Sequence, residues 1–379
     1  MSYEDPVNQG VMALDEYRNA FYERALKQFV NSDSVVLDAG AGIGTLGLMA
    51  AKLGARRVYL IEPVTQREAI LQLIDENQLT DKVVLLPERI ETASLPESVD
   101  VITSVFTGNF LLEEDLLPSL FLARDRWLKP GGFLLPGQGS MIVVPVEIET
   151  YYEKQICSWR RRPAGVVHEG MHRYAVNTLY YAHFNKIAHD MLAEPKQLTT
   201  LDFYTAGEAA CDAKIEIDVT KSGDCHGFLC WFDISFENDW LSTGPRVPAT
   251  HWSQVYLPID PVLSVNEGDR LKFQLKRPEF GDWHWQLEIR GQCHRHSTFL
   301  SRPISPHHLA VRSKDHRPVL NEEGTLMKAL LQLMDGDHTN GEIAGLLFQK
   351  FSARFGSIDE AVRFVSSKVA EMGTGKLDT

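Results

Sequence analysis

The stretch Val35–Glu62, VVLDAGAGIGTLGLMAAKLGARRVYLIE, decides the fold. Its apolar start, Val35-Val36-Leu37, reads as a buried parallel strand. Gly40, Gly42 and Gly44 let the chain turn sharply where any side chain would collide with a ligand. Thr45 to Leu53 continues as a helix and Val58 to Ile61 as the next strand. Glu62 then puts an acid at that strand's carboxyl end, where it can accept both hydroxyls of a ribose. Strand, glycine turn, helix, strand and acid in this order imply a pocket for a ligand containing adenosine.

Two ligands fit. The spacing Gly42-x-Gly44-x-x-Gly47 matches a dinucleotide fingerprint. Asp38, just before the first glycine in DAGAGIG, argues against it, because a carboxylate there repels a pyrophosphate and suits a cation. S-adenosylmethionine carries a sulfonium and an ammonium, so Asp38 favours that methyl donor over NAD.

Outward from this segment, Gln66 to Glu76 reads as a helix, Val83 to Pro87 and Val99 to Thr103 as strands, and Glu114 to Trp127 as a helix. Such alternation gives an open parallel sheet with ligands at the carboxyl ends of its strands. Lys129-Pro-Gly-Gly132 reads as a turn before a strand at Phe133-Leu134-Leu135. From about Met141 the period changes to two, as in KIEIDV (214–219) and GFLCWFDISF (227–236), the pattern of an antiparallel sheet or barrel. Residues 303–318, with Pro303, Pro306 and Pro318 among histidines and charges, read as a linker. Beyond it, helices are expected at Gly324–Met334, Asn340–Phe351 and Ile358–Met372, with Thr339 and Ser357 as N-caps. The expected organisation is α/β: a Rossmann-like domain at 1–140, a β-barrel domain at 141–302, the linker at 303–318 and a small helical domain at 319–379.

With 379 residues the chain exceeds one ordinary core, and its composition, 44% hydrophobic and 23% charged, is that of a globular protein. No run approaches the roughly 20 apolar residues that span a bilayer, and the first ten residues lack a secretion signal, so a cytoplasmic location without a membrane partner is expected. A net charge of −13 argues against generic nucleic-acid binding, which rests on neutralising phosphates. The five cysteines are odd in number and scattered, which points to reduced thiols. Cys225, Cys230 and Cys293 lie in strand-like text without paired CxxC spacing, so no metal site is expected.

Over roughly residues 1–292 the order of motifs resembles the protein arginine methyltransferase family. Ser2-Tyr3 with Met12, Asp15, Glu16 and Arg18 is similar to the family's N-terminal helix. The resemblance implies that Tyr3 and Met12 fold over the cofactor S-adenosyl-L-methionine and that Arg18 holds its carboxylate. Asp38, Gly40, Gly42 and Gly44 match the cofactor loop, Glu62 the ribose acid, and Ile90-Glu91 the pair that reads adenine. Asp100 to Gly132 resembles the catalytic loop and the helix after it. Leu241-Ser-Thr-Gly-Pro and Thr250-His251-Trp252 resemble the barrel loop that closes the site, where His251 pairs with Asp15.

One departure bears on the chemistry. The family carries two glutamates in the loop after the fourth strand, because a guanidinium is a poor nucleophile that paired acids hold and polarise. Here the loop reads SVFTGNFLLEED (104–115): Val105 stands at the first glutamate's place and Glu114 keeps the second. A buried guanidinium with one acid loses a contact of about 2–3 kcal/mol. The expected acceptor is therefore a nitrogen or oxygen nucleophile of a small molecule or peptide in specialised metabolism, with Glu114, His251 and Asp15 as catalytic residues. Arginine methylation with Glu113 or Glu114 compensating is the alternative, and a silent binding protein a further one. The family's docking arm looks shorter at about Asn185 to Thr200, while about 20 residues around Arg160 to His172 look inserted. A homodimer is still expected. The C-terminal helices resemble small PqqD-like domains, which implies a peptide substrate.

Overall fold

Val35–Ala39 forms strand β1 with all five residues buried, as a strand covered on both faces must be. With β2 (Arg57–Ile61), β3 (Val83–Leu86), β4 (Val99–Ser104) and β5 (Leu128–Leu135) it builds a parallel sheet in the order β3-β2-β1-β4-β5. The chain winds outward from β1 to β3 and returns to β4 beside β1, so the order reverses between these two strands. A crevice forms there at their carboxyl ends. Helices α1 (Pro6–Ala13), α2 (Glu16–Phe29), α3 (Thr45–Lys52), α4 (Arg67–Glu76) and α5 (Leu117–Trp127) accompany the sheet. This computed structural model describes residues 6–63 and 67–373, in two units, Met1–Pro303 and Ile304–Thr379.

Two local expectations are corrected. The helix expected from Glu114 starts at Leu117, because Pro118 suits a first turn and Asp115 has a positive φ of 55° that no helix accepts. Lys129–Gly132 is not a turn ahead of the strand but part of β5. It bulges between the pairs Val99–Leu128 and Val101–Phe133, with Gly131 at φ 77°.

From Gln138 the first unit becomes antiparallel. One sheet runs β7 (Tyr180–Ala182), β13 (Gln254–Val265), β11 (Gly223–Phe236), β6 (Gln138–Glu147), β8 (Asp190–Met191), with β9 (Lys196–Asp202) also on β6 and β12 (Asp239–Ser242) on β11. A second runs β10 (Cys211–Asp218), β14 (Arg270–Arg277), β15 (His284–Ile289), β16 (Gln292–Ser297). Strand β14 shows the alternation cleanly: Leu271, Phe273 and Leu275 are buried between exposed Lys272 and Lys276. Short helices α6 (Glu149–Gln155) and α7 (His172–Ala175) lie between β6 and β7.

The second unit begins with α8 (Pro306–Val311), so the segment expected as a linker contains a helix. Next come α9 (Glu322–Leu333), α10 (Asn340–Lys350) and α11 (Ile358–Met372). The first of these starts before Gly324 because Asn321 caps it, its side chain accepting from the Gly324 amide. Thr339 caps α10 in a capping box with Glu342, and Ser357 caps α11. Leu326, Leu330, Ile343, Leu347 and Val365 form the core of this unit.

Candidate active site

The glycine turn packs with almost no room to spare. A Cβ on Gly40 would lie 2.0 Å from the ring of Phe106, and one on Gly42 would lie 2.7 Å from the side-chain oxygen of Gln9 on α1. Both glycines have φ above +50°, as does Gly44, which opens α3. At the end of β2, Oε2 of Glu62 accepts from the Gly42 amide at 2.9 Å, joining the expected ribose acid to the turn. Asp38, on β1, is buried and accepts from the Gly47 amide at 2.8 Å, so it also fastens α3.

Arg18 on α2 is 3% exposed. Its Nε and Nη2 both donate to Oδ1 of Asn19, while the carboxylates of Asp15 and Asp38 act on it only through space. A guanidinium carrying full charge in the interior, bonded to a neutral amide, needs an anion to complete it. The carboxylate of S-adenosylmethionine is such an anion. The tight glycine turn and the Glu62 acid fit the rest of that donor. Ile90, buried, and Glu91, exposed and bonded to the Ser119 hydroxyl, stand on the loop after β3. Met12 is half-buried in α1, and Tyr3 lies outside the described residues.

Burial pushes the Glu62 carboxyl up to about 7 against the pull of the Gly42 amide. Burial also raises Asp38 to about 7, where the Gly47 amide opposes it and Glu62 adds to it. A carboxyl whose pKa rises on folding contributes stability that is complete below its unfolded value and is lost as pH climbs through about 7. A donor carrying cations and hydroxyls binds the ionised forms. Calorimetric affinity for S-adenosylhomocysteine should therefore tighten between about pH 6 and pH 8, by roughly tenfold for each acid that must ionise. A flat profile would mean that both acids are already ionised at pH 6.

Asp15 and His251, expected as a pair, do meet. Oδ2 of Asp15 accepts from Nδ1 and from the backbone amide of His251, both at 2.8 Å, while Oδ1 caps α2 through the Arg18 amide. Burial raises the Asp15 pKa, but the hydrogen bonds from His251 and the two amides outweigh it and leave the carboxyl below its ordinary value. Burial drives the His251 imidazole below its ordinary value despite Asp15. Trp252 seats the histidine, its ring 4.1 Å from His251 and edge-on to Phe232.

The loop from Ser104 to Asp115 is pinned at three points. The Tyr22 hydroxyl donates to the Ser104 carbonyl, and Oδ1 of Asn109 accepts from the Ser253 amide. Asp115 takes two nitrogens of buried Arg277, at 2.8 and 2.9 Å. These ties hold Leu111 and Asp115 at positive φ. Glu114 packs against Gly108, whose Cβ would lie 3.0 Å from its Cγ, and Val105 is half-buried against the core. Glu113 has the Tyr181 hydroxyl as its hydrogen-bonding neighbour, and burial lifts its carboxyl, with Glu114 adding to the rise. Beside Asp15 and His251 a groove of about 670 Å³ opens, walled by Val11, Leu14, Tyr17 and His183.

The sequence reading did not identify Gln9, Phe106, Asn109, Arg277, Tyr181 or His183. Only Asn109 and Phe106 carried a signal, by standing in a loop already singled out.

The chain is similar to known methyltransferases over most of its length. Residues 37–135 match a methyltransferase domain family, and residues 137–292 match the arginine methyltransferase oligomerization subdomain. The probable protein arginine N-methyltransferase 1.2 of Arabidopsis thaliana is 31% identical over 295 residues, covering 74% of this chain and 79% of that protein. Two solved structures share the fold. One is the Trypanosoma brucei PRMT1 enzyme–prozyme heterotetramer with AdoHcy (TM-score 0.72, 24% identity, 78% of this chain and 99% of that one). The other is Arabidopsis thaliana protein arginine methyltransferase 10 in an open conformation (TM-score 0.67, 26% identity, 78% and 99%). Among the described residues no helix is long and apolar enough to cross a membrane. The match to a methyltransferase domain followed by the oligomerization subdomain, and the likeness to the Arabidopsis enzyme over more than two thirds of both chains, make this chain an S-adenosylmethionine-dependent methyltransferase that belongs to the protein arginine N-methyltransferase family.

Proposed function

We propose that the chain methylates an arginine nitrogen of a peptide or protein. The observation that carries this reading is the neighbouring pair of carboxyls, Glu113 and Glu114, in the loop pinned beside the latch of Asp15 and His251. A guanidinium needs two acids to hold and orient it. Glu113 offers the second acid that Val105 does not. The relatives support the same acceptor, since those quoted above are arginine methyltransferases by name.

In this reading Arg18 takes the donor's carboxylate and Glu62 its ribose hydroxyls. Gly40, Gly42, Gly44 and Asp38 form the cradle, Ile90 and Glu91 take the adenine, and Tyr3 and Met12 cover it. When bound, S-adenosylmethionine supplies a methyl on a sulfonium that an aligned nitrogen displaces in line. Glu114 orients the acceptor and receives its proton, and Asp15 with His251 ties the barrel loop to the start of α2 beside the groove. A homodimer, and a C-terminal unit that holds a peptide at a second point, complete the proposal.

Val105 favours a second reading, in which the acceptor is another nitrogen or oxygen nucleophile that needs one base. Two peptide pools, one containing arginine and one with lysine in its place, test both readings by mass spectrometry. Methylation confined to the arginine pool supports the first. Arginine activity that emerges only in Val105→Glu would overturn it in favour of the second.

A further inference from the structure

Strand β7 lies at the edge of the larger antiparallel sheet, in a segment to which the sequence reading gave no chemistry. It pairs with β13 so that Tyr180 faces Tyr256 and Tyr181 faces Val255. Tyr256 belongs to the cluster on one side of that sheet and Val255 to the core on the other, so the pleat sends Tyr181 to the side of the catalytic loop. There its hydroxyl meets the Glu113 carboxylate. Two residues on, His183 walls the groove next to Asp15 and His251. The strand and the residue just past its end therefore send side chains to the acid loop and to the latch.

Both of these contacts are incomplete. Oε2 of Glu113 is buried and accepts no well-formed hydrogen bond, and Nδ1 of His183 is buried without a partner. Buried polar atoms left open in a folded protein call for an explanation, and for a carboxylate on the acid loop a cationic ligand supplies one. A buried N–H without an acceptor is costlier than a buried lone pair, which favours Nε2 as the nitrogen that carries the ring N–H. With Nδ1 turned inward, the ring meets the groove through its Nε2 edge, as a donor. Aliphatic side chains also line the groove: Leu14 is 80% exposed and Val11 58%. A donor in the same groove as exposed aliphatic side chains suits a peptide, whose carbonyls accept and whose side chains cover apolar surface.

We propose that β7 and the residue that follows it form the acceptor-reading wall of this site: Tyr181 orients the Glu113 carboxylate toward the cationic head of the acceptor, and His183 donates to a carbonyl oxygen of the peptide that carries it. The inference rests on the reading of the acceptor as a peptide arginine. Tyr181 is a positioning residue, acting through Glu113, whose charged neighbours are Glu114, Asp115 and Arg277. The tyrosine hydroxyl lowers the Glu113 pKa, so its removal raises that pKa.

The test uses the full chain as wild type, Tyr181→Phe, His183→Ala and His183→Gln, with the arginine peptide pool as probe. S-adenosylhomocysteine affinity and the thermal midpoint are measured first, and all three variants are expected to match wild type within about twofold in affinity, since none touches the donor pocket. His183→Ala should then raise KM for the pool about tenfold with kcat nearly unchanged, and His183→Gln should restore most of it through its side-chain amide. Tyr181→Phe should lower kcat/KM about tenfold and move the acid limb of its pH profile upward. A wild-type KM in His183→Ala, or an unmoved acid limb in Tyr181→Phe, overturns the inference while leaving arginine methylation standing. Wild-type methylation of the lysine pool alone overturns the arginine reading instead. The same variants are then measured on that pool, where the KM effect of His183 either survives or falls on its own. A wild-type protein that binds and methylates neither pool refutes both.

Discussion

Glu114→Gln lowers kcat by about 10²–10³ and leaves S-adenosylhomocysteine affinity within about twofold of wild type, if Glu114 receives the acceptor's proton. The amide has the shape of the acid, so packing against Gly108 survives, while the charge that holds a guanidinium and the capacity to take its proton are removed. The loop cannot easily compensate by shifting. Asn109 is tied to Ser253, Asp115 to buried Arg277, and Leu111 and Asp115 are held at positive φ, so the carboxyl at 114 has a fixed approach. Single-turnover rates with the accepted peptide, set beside calorimetry with S-adenosylhomocysteine, measure the two quantities separately. Undiminished turnover would remove Glu114 from the chemistry and leave Glu113 as the acid that matters.

Arg18→Met has the second large effect, and its signature is a split between binding and stability. Donor affinity should fall about 100-fold, because a charge-assisted bond to a buried carboxylate is worth about 2–3 kcal/mol. The donor-free protein should keep its thermal midpoint or gain a little. Among the described residues the buried guanidinium is bonded to the amide oxygen of Asn19 and to no carboxylate, and methionine fills similar space without desolvating a charge. Asn19 retains its own bond to the Ala13 carbonyl and reaches water. Differential scanning calorimetry with and without saturating donor reads both sides, since wild type should be stabilised by ligand and the variant hardly at all. A midpoint that collapses without donor would make Arg18 a structural residue of α2 instead.

Both predictions concern residues visible in the sequence, and their neighbourhoods show why. Gly40, Gly42, Gly44 and Glu62 could be read because a turn with positive φ and an acid at a strand end are local requirements, met within one strand–turn–helix–strand unit. Thr339 and Ser357 were legible as caps because a helix end needs its acceptor within three residues. The pairing of Asp15 with His251 spans most of the first unit, yet its location was implied by resemblance to a family, not by spacing.

The misreadings were also local, and each came from backbone geometry that residue type does not display. Glu114 and Asp115 have helical neighbours, but Asp115 at φ 55° keeps them in the loop. Lys129–Gly132 looked like a turn, but β4 draws it into a bulged strand.

By itself the sequence determined the parallel sheet, the adenosine pocket, the antiparallel half and the helical C-terminal unit, because hydrophobic period and glycine placement act over a few residues. Only the tertiary structure decided how the acceptor side is walled. Glu113 finds Tyr181, Asp115 finds Arg277, and His183 comes to the groove beside Asp15 through contacts between segments tens to hundreds of residues apart. Such partners are chosen by strand register and by which side of a sheet a side chain leaves from, and a one-residue slip in β7 would exchange Tyr181 for Tyr180.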